Sequence, residues 1–334
     1  MKNYNFKILF IIVLIFGCAK VETINLKTHH FNKSPDNIIW FQIAGLDEEH
    51  LAMLRFNLKD DLEKTSFENS TCIGKTWSYN LYSLRPGPRN SFQSQLASHK
   101  NIKGSCKDFS ERPFWKKIDD ERYQVGIFES GASKKQSFVQ YSTCEENNFS
   151  KDFIVWSMSP PPKKSERLLF SSREYQRGNT YFDSSCKNKS ICYSSIQNNI
   201  QNIWMKFSKT KGRKIFIIRD YSYYNFLMKR DILSARETLA KLEKIHKDFK
   251  NTFKNSLILV SSGAPRKFEF PSQGRDWANF EKTGKKVLYR RDSLLSPVFA
   301  DGNTAENFCG IYNESELGQR VFWSPRVEKL KIFR

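Results

Sequence analysis

Histidine is scarce: His29, His30, His50, His99 and His246 are the five in 334 residues, so a centre built on several imidazoles has little to draw on. No CxxC or CxxH spacing occurs, which excludes a zinc finger. No internal repeat is present. Apolar residues at 39% and aromatics at 14% exclude a disordered chain, a collagen-like repeat and a small cysteine scaffold. Only one apolar run is long enough to engage a bilayer, and it is too short and too N-terminal for a spanning helix. Acid is in deficit, with 35 Asp and Glu against 55 Lys and Arg, a formal charge of +20.

That single run has the form of an export leader over residues 1–17. Lys2 and Lys7 form its positive start, Ile8 to Phe16 its apolar stretch, and Gly17-Cys18 its end. Ile15-Phe16-Gly17-Cys18 resembles a bacterial lipobox, which implies cleavage before Cys18 and acylation of that cysteine. Anchoring through attached acyl chains would follow. Residues 18–36 are then a tether. The alternative is an ordinary cleaved leader with an incidental Cys18, giving a secreted protein. N-x-S/T sequons begin at Asn32, Asn69, Asn148, Asn188 and Asn313, a number expected by chance in a chain so rich in Asn and Ser.

Six cysteines remain: Cys72, Cys106, Cys144, Cys186, Cys192 and Cys309. An even number in an exported chain points to disulfides. Cys186 and Cys192, in one polar loop, are the expected pair; Cys72 is expected to join Cys106 or Cys144.

About 317 residues follow the leader, enough for one large α/β domain or two medium ones. Asn37 to Ala44 (NIIWFQIA) reads as a buried parallel strand. Gly45 breaks it, and Asp47 starts a helix striped by Leu51, Leu54, Leu58 and Leu62. A short helix near Phe114 leads to a strand at Tyr123 to Phe128, and two more strands are expected around SFVQYST and DFIVWSM. Pro160-Pro161-Pro162 then opens a polar, loop-rich insertion reaching residue 213. Lys214 to Arg219 is a strand. A helix from Asp231 to Phe249 follows, with Ser234 and Glu237 spaced as a capping box, and SLILV (256–260) is another strand. Alternating strands and helices predict a mostly parallel sheet with helices on both faces.

Sites in such sheets form beyond the carboxyl ends of the strands. In that position the chain resembles the alkaline phosphatase/sulfatase superfamily. IIWFQIAGLDEEHL is similar to its opening strand and turn, and Ser91 to Ser98 (SFQSQLAS) to its nucleophile helix. PFWKKIDDERYQVGIFESG, KIFIIRDYSYY and SLILVSSGA follow in the family's order across 37–310. The resemblance implies an alkaline-phosphatase-like domain over 37–334, with Ser91 at the nucleophile position and Asp220 at a metal-ligand position. It also implies ligands that this chain lacks. Ala44 stands for an Asp, Tyr224 for a His four residues after Asp220, and Ser262-Gly263 for an Asp-His pair. Neither an aliphatic carbon nor a glycine coordinates zinc, calcium or magnesium. Asp47 and His50 are the nearest substitutes, although helix capping and solvent suffice to explain them. Cys72 lacks the C-x-P-S-R pattern of sulfatases that mature a cysteine, and Ser91 is expected to cap a helix.

The reading is therefore a non-catalytic envelope lipoprotein of sulfatase-like fold that binds an anionic glycan, lipid or partner, with no cofactor expected. The alternative is an active phosphatase, sulfatase or phosphodiesterase-type hydrolase using Ser91 with a divalent metal on a rearranged ligand set. A purely structural envelope protein is the third. Basic residues concentrate at Lys206 to Lys214 and Lys282 to Arg291, where an exported surface meets anionic lipids and glycans. A lysine-rich composition throughout accounts for the charge equally well. Nucleic acid is not the partner expected for a chain with an export leader.

Overall fold

The computed structural model describes residues 34–57, 63–109, 117–118, 122–143, 152–161, 167–187, 191–271, 274–290 and 292–322. The leader, Cys18, His29, His30, Cys144 and most of the tether lie outside them. The described residues fall within one compact unit, Phe31–Arg334.

Thirteen strands are present among them: β1 (Asn37–Ala44), β2 (Cys72–Trp77), β3 (Tyr123–Ser130), β4 (Phe153–Met158), β5 (Thr180–Phe182), β6 (Cys186–Lys187), β7 (Ile191–Cys192), β8 (Arg213–Asp220), β9 (Ser256–Gly263), β10 (Phe268–Glu269), β11 (Leu288–Tyr289), β12 (Leu295–Gly302) and β13 (Gly310–Asn313). Nine form the main sheet in the order β13-β2-β12-β9-β1-β8-β3-β4-β5. From β9 to β5 all neighbours are parallel. β12 runs antiparallel to both β9 and β2, which turns that edge of the sheet.

Period-2 alternation in β1 divides the core. Ile39, Phe41 and Ile43 enter one apolar cluster; Ile38 and Trp40 enter another on the opposite face. Helices cover both, as expected of a sheet whose central strands are apolar throughout. They are α1 (Pro88–Ala97), α2 (Ile196–Phe207), α3 (Ser222–Met228), α4 (Ile232–Thr252), α5 (Gly274–Thr283) and α6 (Leu317–Arg320). α4 buries Ile232, Ala235, Leu239, Leu242, Ile245 and Phe249, spaced three and four apart.

Several expectations need correction. The helix after Gly45 is a 3-10 helix, Glu48–Asn57, opened by the His50 N–H on the Asp47 carbonyl at 3.1 Å; buried His50 and Met53 share its three-residue period. Leu58 and Leu62 lie outside the described residues. SFVQYST is not a strand: Phe138–Thr143 is a 3-10 helix, because the Glu129 carboxylate accepts the Ser137 hydroxyl at 2.7 Å and the Phe138 N–H at 2.8 Å and bends the chain. The insertion is less loop-rich than its composition implies, since it contains β5, the β6–β7 hairpin and α2. Asp231, not Ser234, caps α4, its carboxylate accepting the Ser234 N–H at 3.1 Å.

Cys186 and Cys192 are disulfide-bonded, directly opposite in the β6–β7 hairpin. Cys72 pairs with neither Cys106 nor Cys144 but with Cys309. The parallel pairing of β13 with β2 sets Gly310 opposite Gly74 and so carries Cys309 to Cys72. Such bonds fit an oxidising, exported environment. Among the described residues, no helix is long and apolar enough to cross a membrane.

At Gly126 in β3, an added Cβ would lie 2.2 and 2.4 Å from the Trp156 ring. Gly126→Ala is therefore expected to destabilise the fold by about 1–3 kcal/mol through overpacking, read as a lowered urea midpoint.

Candidate functional site

The carboxyl ends of β1, β8 and β9 lie side by side. Ile43 is in register with Asp220 on one side and Ser262 on the other, and Ala44 with Gly263. α1 enters over this edge through Gly87 and Pro88, with no side-chain cap. Ser91 is thus inside the helix, not its cap as expected. Its hydroxyl donates to the Glu314 carboxyl, which follows β13 in the 3-10 helix Glu314–Glu316. A Cβ on Gly263 would sit 3.1 Å from Ser91 Oγ and 2.7 Å from the Phe92 ring, so the nucleophile position of the resemblance does stand over the end of β9.

Asp220 is fully buried, and its carboxylate accepts the Ser130 hydroxyl and the Tyr223 N–H at 2.9 Å, starting α3. Burial pushes this carboxyl up from its ordinary range. Ala44, Phe92 and Tyr221 form an apolar plug, with Ala132 and Tyr224 against it. Tyr224 also covers Gly45, whose positive φ of 84° suits the turn leaving β1.

A row of buried polar side chains crosses the sheet beneath α1. Ser261, Gln42, Arg219, Glu129 and Ser157 are in register on β9, β1, β8, β3 and β4. Arg219 Nε donates to Gln42 Oε1 at 2.8 Å, and the guanidinium lies 3.5 Å from Glu129. Gln95 of α1 accepts the Ser261 hydroxyl at 2.8 Å and the Gln42 amide at 3.1 Å, and donates to the Ser262 carbonyl at 2.9 Å. Apolar strands and polar helices gave no sequence signal for this row, which depends on lateral register.

Of the three described histidines, His50 and His246 serve packing. His50 is fully buried rather than solvated. Its ring stacks on Phe268 at 4.1 Å, and Nδ1 accepts the Tyr223 hydroxyl at 2.7 Å and the Asp47 N–H at 3.2 Å. Burial lowers its pKa to about 3 and raises that of neighbouring Asp47 to about 6. His246 lies against Phe41 and Phe67 with Nδ1 2.9 Å from the Ser66 hydroxyl, and burial lowers it to about 4. His99 Nε2 lies 2.7 Å from the Asp108 carbonyl oxygen.

No protein-family model matches the sequence, and no curated protein does. Solved structures match along nearly the whole chain. The alkaline phosphatase of the Antarctic bacterium TAB5 aligns with a TM-score of 0.61 at 10% identity, covering 87% of this chain and 97% of that one. That of Thermus thermophilus aligns with 0.62 at 10%, covering 90% and 93%, and the cold-active enzyme of Shewanella sp. with 0.61 at 12%, covering 85% and 98%. The fold is that of the alkaline phosphatases.

This fold family implies divalent metal held by Asp and His over that strand edge. The residues here do not fit it. Ala44 and Gly263 offer no donor, and Phe92 fills the space a side chain at 263 would need. Asp220 is committed to Ser130 and the start of α3. Asp47 Oδ1 accepts the Glu49 N–H, and His50 uses Nδ1 for the Asp47 N–H and the Tyr223 hydroxyl, its Nε2 lying without a hydrogen-bond partner in a ring stacked on Phe268. Among the described residues, the one group of three ligand types within 4.8 Å is Asp183, Cys186 and Cys192, whose cysteines are joined in a disulfide.

Sequence reasoning missed Glu314. Burial pushes its carboxyl up to about 8, against the pull of the Ser91 and Ser78 hydroxyls and of Lys100. Between its ordinary 4.5 and about 8, the folded chain holds a proton that the unfolded chain has lost. Stability from this group is therefore full at low pH and declines as pH rises through that window. Glu314→Gln is expected to remove that part of the decline. The test is the difference in thermal midpoint between parent and variant across the window; an unchanged slope contradicts the assignment.

Proposed function

We propose that the chain is a non-catalytic protein of alkaline-phosphatase fold, exported to the bacterial envelope, anchored through Cys18, and built to hold an anionic group where relatives of this fold carry out chemistry. The observation that carries this reading is the plug: Ala44, Phe92 and Tyr221 pack where metal ligands are implied, and the Ser91 hydroxyl is spent on the Glu314 carboxyl. A serine hydroxyl is a poor nucleophile near neutral pH without a base or metal. A buried carboxyl raised to about 8 is mostly protonated there and is a poor acceptor for the serine proton.

Anion binding is supported by a cavity of about 70 Å³ at the amino end of α1, lined by Ser78, Arg85, Gly87, Tyr224, Pro265 and Asp292 among others. The uncapped first turn of α1 and the Arg85 guanidinium both favour negative charge there. Asp292 is paired with Arg266, so its charge is compensated. An envelope glycan or lipid bearing sulfate or phosphate is the ligand class this chemistry selects.

The purified full chain is expected to retain no stoichiometric zinc, magnesium or calcium by mass spectrometry, and to hydrolyse neither phosphate nor sulfate esters. Calorimetric titration with inorganic sulfate is expected to show binding without metal, weakened by added salt. Arg85→Gln removes a charge-assisted hydrogen bond of about 1.5–3 kcal/mol, a roughly ten- to hundredfold loss. Stoichiometric metal, with turnover abolished by Ser91→Ala, would instead establish the hydrolase.

A further inference from the structure

Among the described residues, exposed apolar side chains are concentrated in one place. Of the twelve large hydrophobic residues that stand exposed among the described residues, Ile73, Trp77, Leu81, Tyr82 and Leu84 fall within a dozen positions. Ile311 joins them, because β13 sets it in register beside Lys75 of β2. Ile73, Lys75 and Trp77 alternate onto one face of β2, and the loop beyond it carries the tip, where Leu81 and Leu84 are each 68% exposed and Tyr82 56%.

The same stretch has an unusual charge. From Ser70 to Lys107 there is no Asp or Glu, while Lys75, Arg85, Arg89, Lys100, Lys103 and Lys107 are all basic. Two of these cations cover the loop's tyrosines: Lys100 lies 4.1 Å from the Tyr79 ring centre and Lys103 5.3 Å from that of Tyr82. Glu48 reaches the face from outside the stretch, paired with Lys75.

The turn at the tip is hydrogen-bonded within itself and to a neighbouring segment of the chain. Asn80 Oδ1 accepts the N–H groups of Tyr82 and Ser83 at 2.9 and 2.8 Å, Asn80 N–H bonds the Ser83 carbonyl at 3.0 Å, and Leu81 N–H bonds the Lys100 carbonyl at 3.1 Å. A turn that satisfies itself in this way loses few hydrogen bonds when its tip leaves water. Two leucines thus stand exposed on a hydrogen-bonded turn that also carries tyrosine rings and the cations over them. Apolar atoms of this kind sink into the acyl boundary, aromatics sit at headgroup depth, and lysines meet anionic headgroups. A second copy of the same face is disfavoured, since both surfaces carry the same charge.

We propose that the loop 78–85 and the outer face of β2 form a docking surface for an anionic phospholipid bilayer, with Leu81 and Leu84 inserted. This goes beyond the anion-binding reading and does not rest on it, nor on an anchor at Cys18.

The test uses the full chain with Leu84→Trp and, as a control on α2 toward the opposite edge of the sheet, Met205→Trp. Vesicles of mixed phosphatidylglycerol and phosphatidylcholine with brominated acyl chains should quench the added fluorescence at 84 and not at 205. In co-sedimentation of non-acylated chain, Leu81→Ser with Leu84→Ser should lower partitioning roughly tenfold or more, with the circular dichroism spectrum unchanged. Raising the salt to about 1 M, where screening acts within about 3 Å, should weaken it too. Equal or absent quenching at the two positions would overturn the proposal, as would equal binding to pure phosphatidylcholine. Concentration-dependent dimers that the double variant abolishes, without vesicle binding, would assign the face to a second copy.

Discussion

The arrangement depends on a buried guanidinium. Arg219 lies in the centre of a parallel sheet, 1% exposed, flanked in register by Gln42 on β1 and Glu129 on β3. With bulk solvent shut out, the charge is met from neighbouring strands, by Gln42 at 2.8 Å and Glu129 at 3.5 Å. Taking one partner from a buried ion pair costs about 3–5 kcal/mol because the other is left uncompensated. The row continues to Ser261, and Gln95 connects it to α1. The guanidinium also lies 5.3 Å from the Phe92 ring, one residue from Ser91. The helix over the strand edge is therefore tied to the sheet through Gln95, and Ser91 and Phe92 are positioned with it.

That constraint gives the strand edge its character. An open crevice there would be lined by polar donors and accessible to solvent. Here aromatic rings occupy it, and the one carboxyl facing the serine sits in a medium that favours its neutral form. A cavity lies at the outer margin, where α1 begins, with Arg85 and Tyr224 in its lining. On the proposed reading, the fold has kept its framework and moved recognition from the centre of the strand ends to their rim.

The sequence made the central framework readable. β1, β3, β8 and β9 are apolar runs, and α4 has an unbroken three-four stripe, so each shows its burial in its own residues. The antiparallel edge was not readable: β12 contains a proline, β2 carries a lysine, and β13 is four residues long. α2 was hidden because asparagines and glutamines interrupt IQNNIQNIWMKF, although Ile200, Ile203 and Phe207 are buried. Ser91 could be placed near Gly263 from motif order alone. Glu314 could not, since it reaches Ser91 across 223 positions through an edge strand no pattern announced. His50 looked solvated because the ring that stacks on it, Phe268, comes from β10, more than 200 positions away.

The glycine closing β9 has a further consequence for how this protein can change. A Cβ at 263 meets the Phe92 ring at 2.7 Å and Ser91 Oγ at 3.1 Å, so neither an imidazole nor a carboxylate fits there while that ring remains. Cutting Phe92 down first would open a void between Arg219 and Tyr221, which both lie against it. Each single step toward a ligand at this position lowers stability before any benefit can appear. Two residues on different elements must therefore change together, and drift by one replacement at a time is held on its present side of that divide.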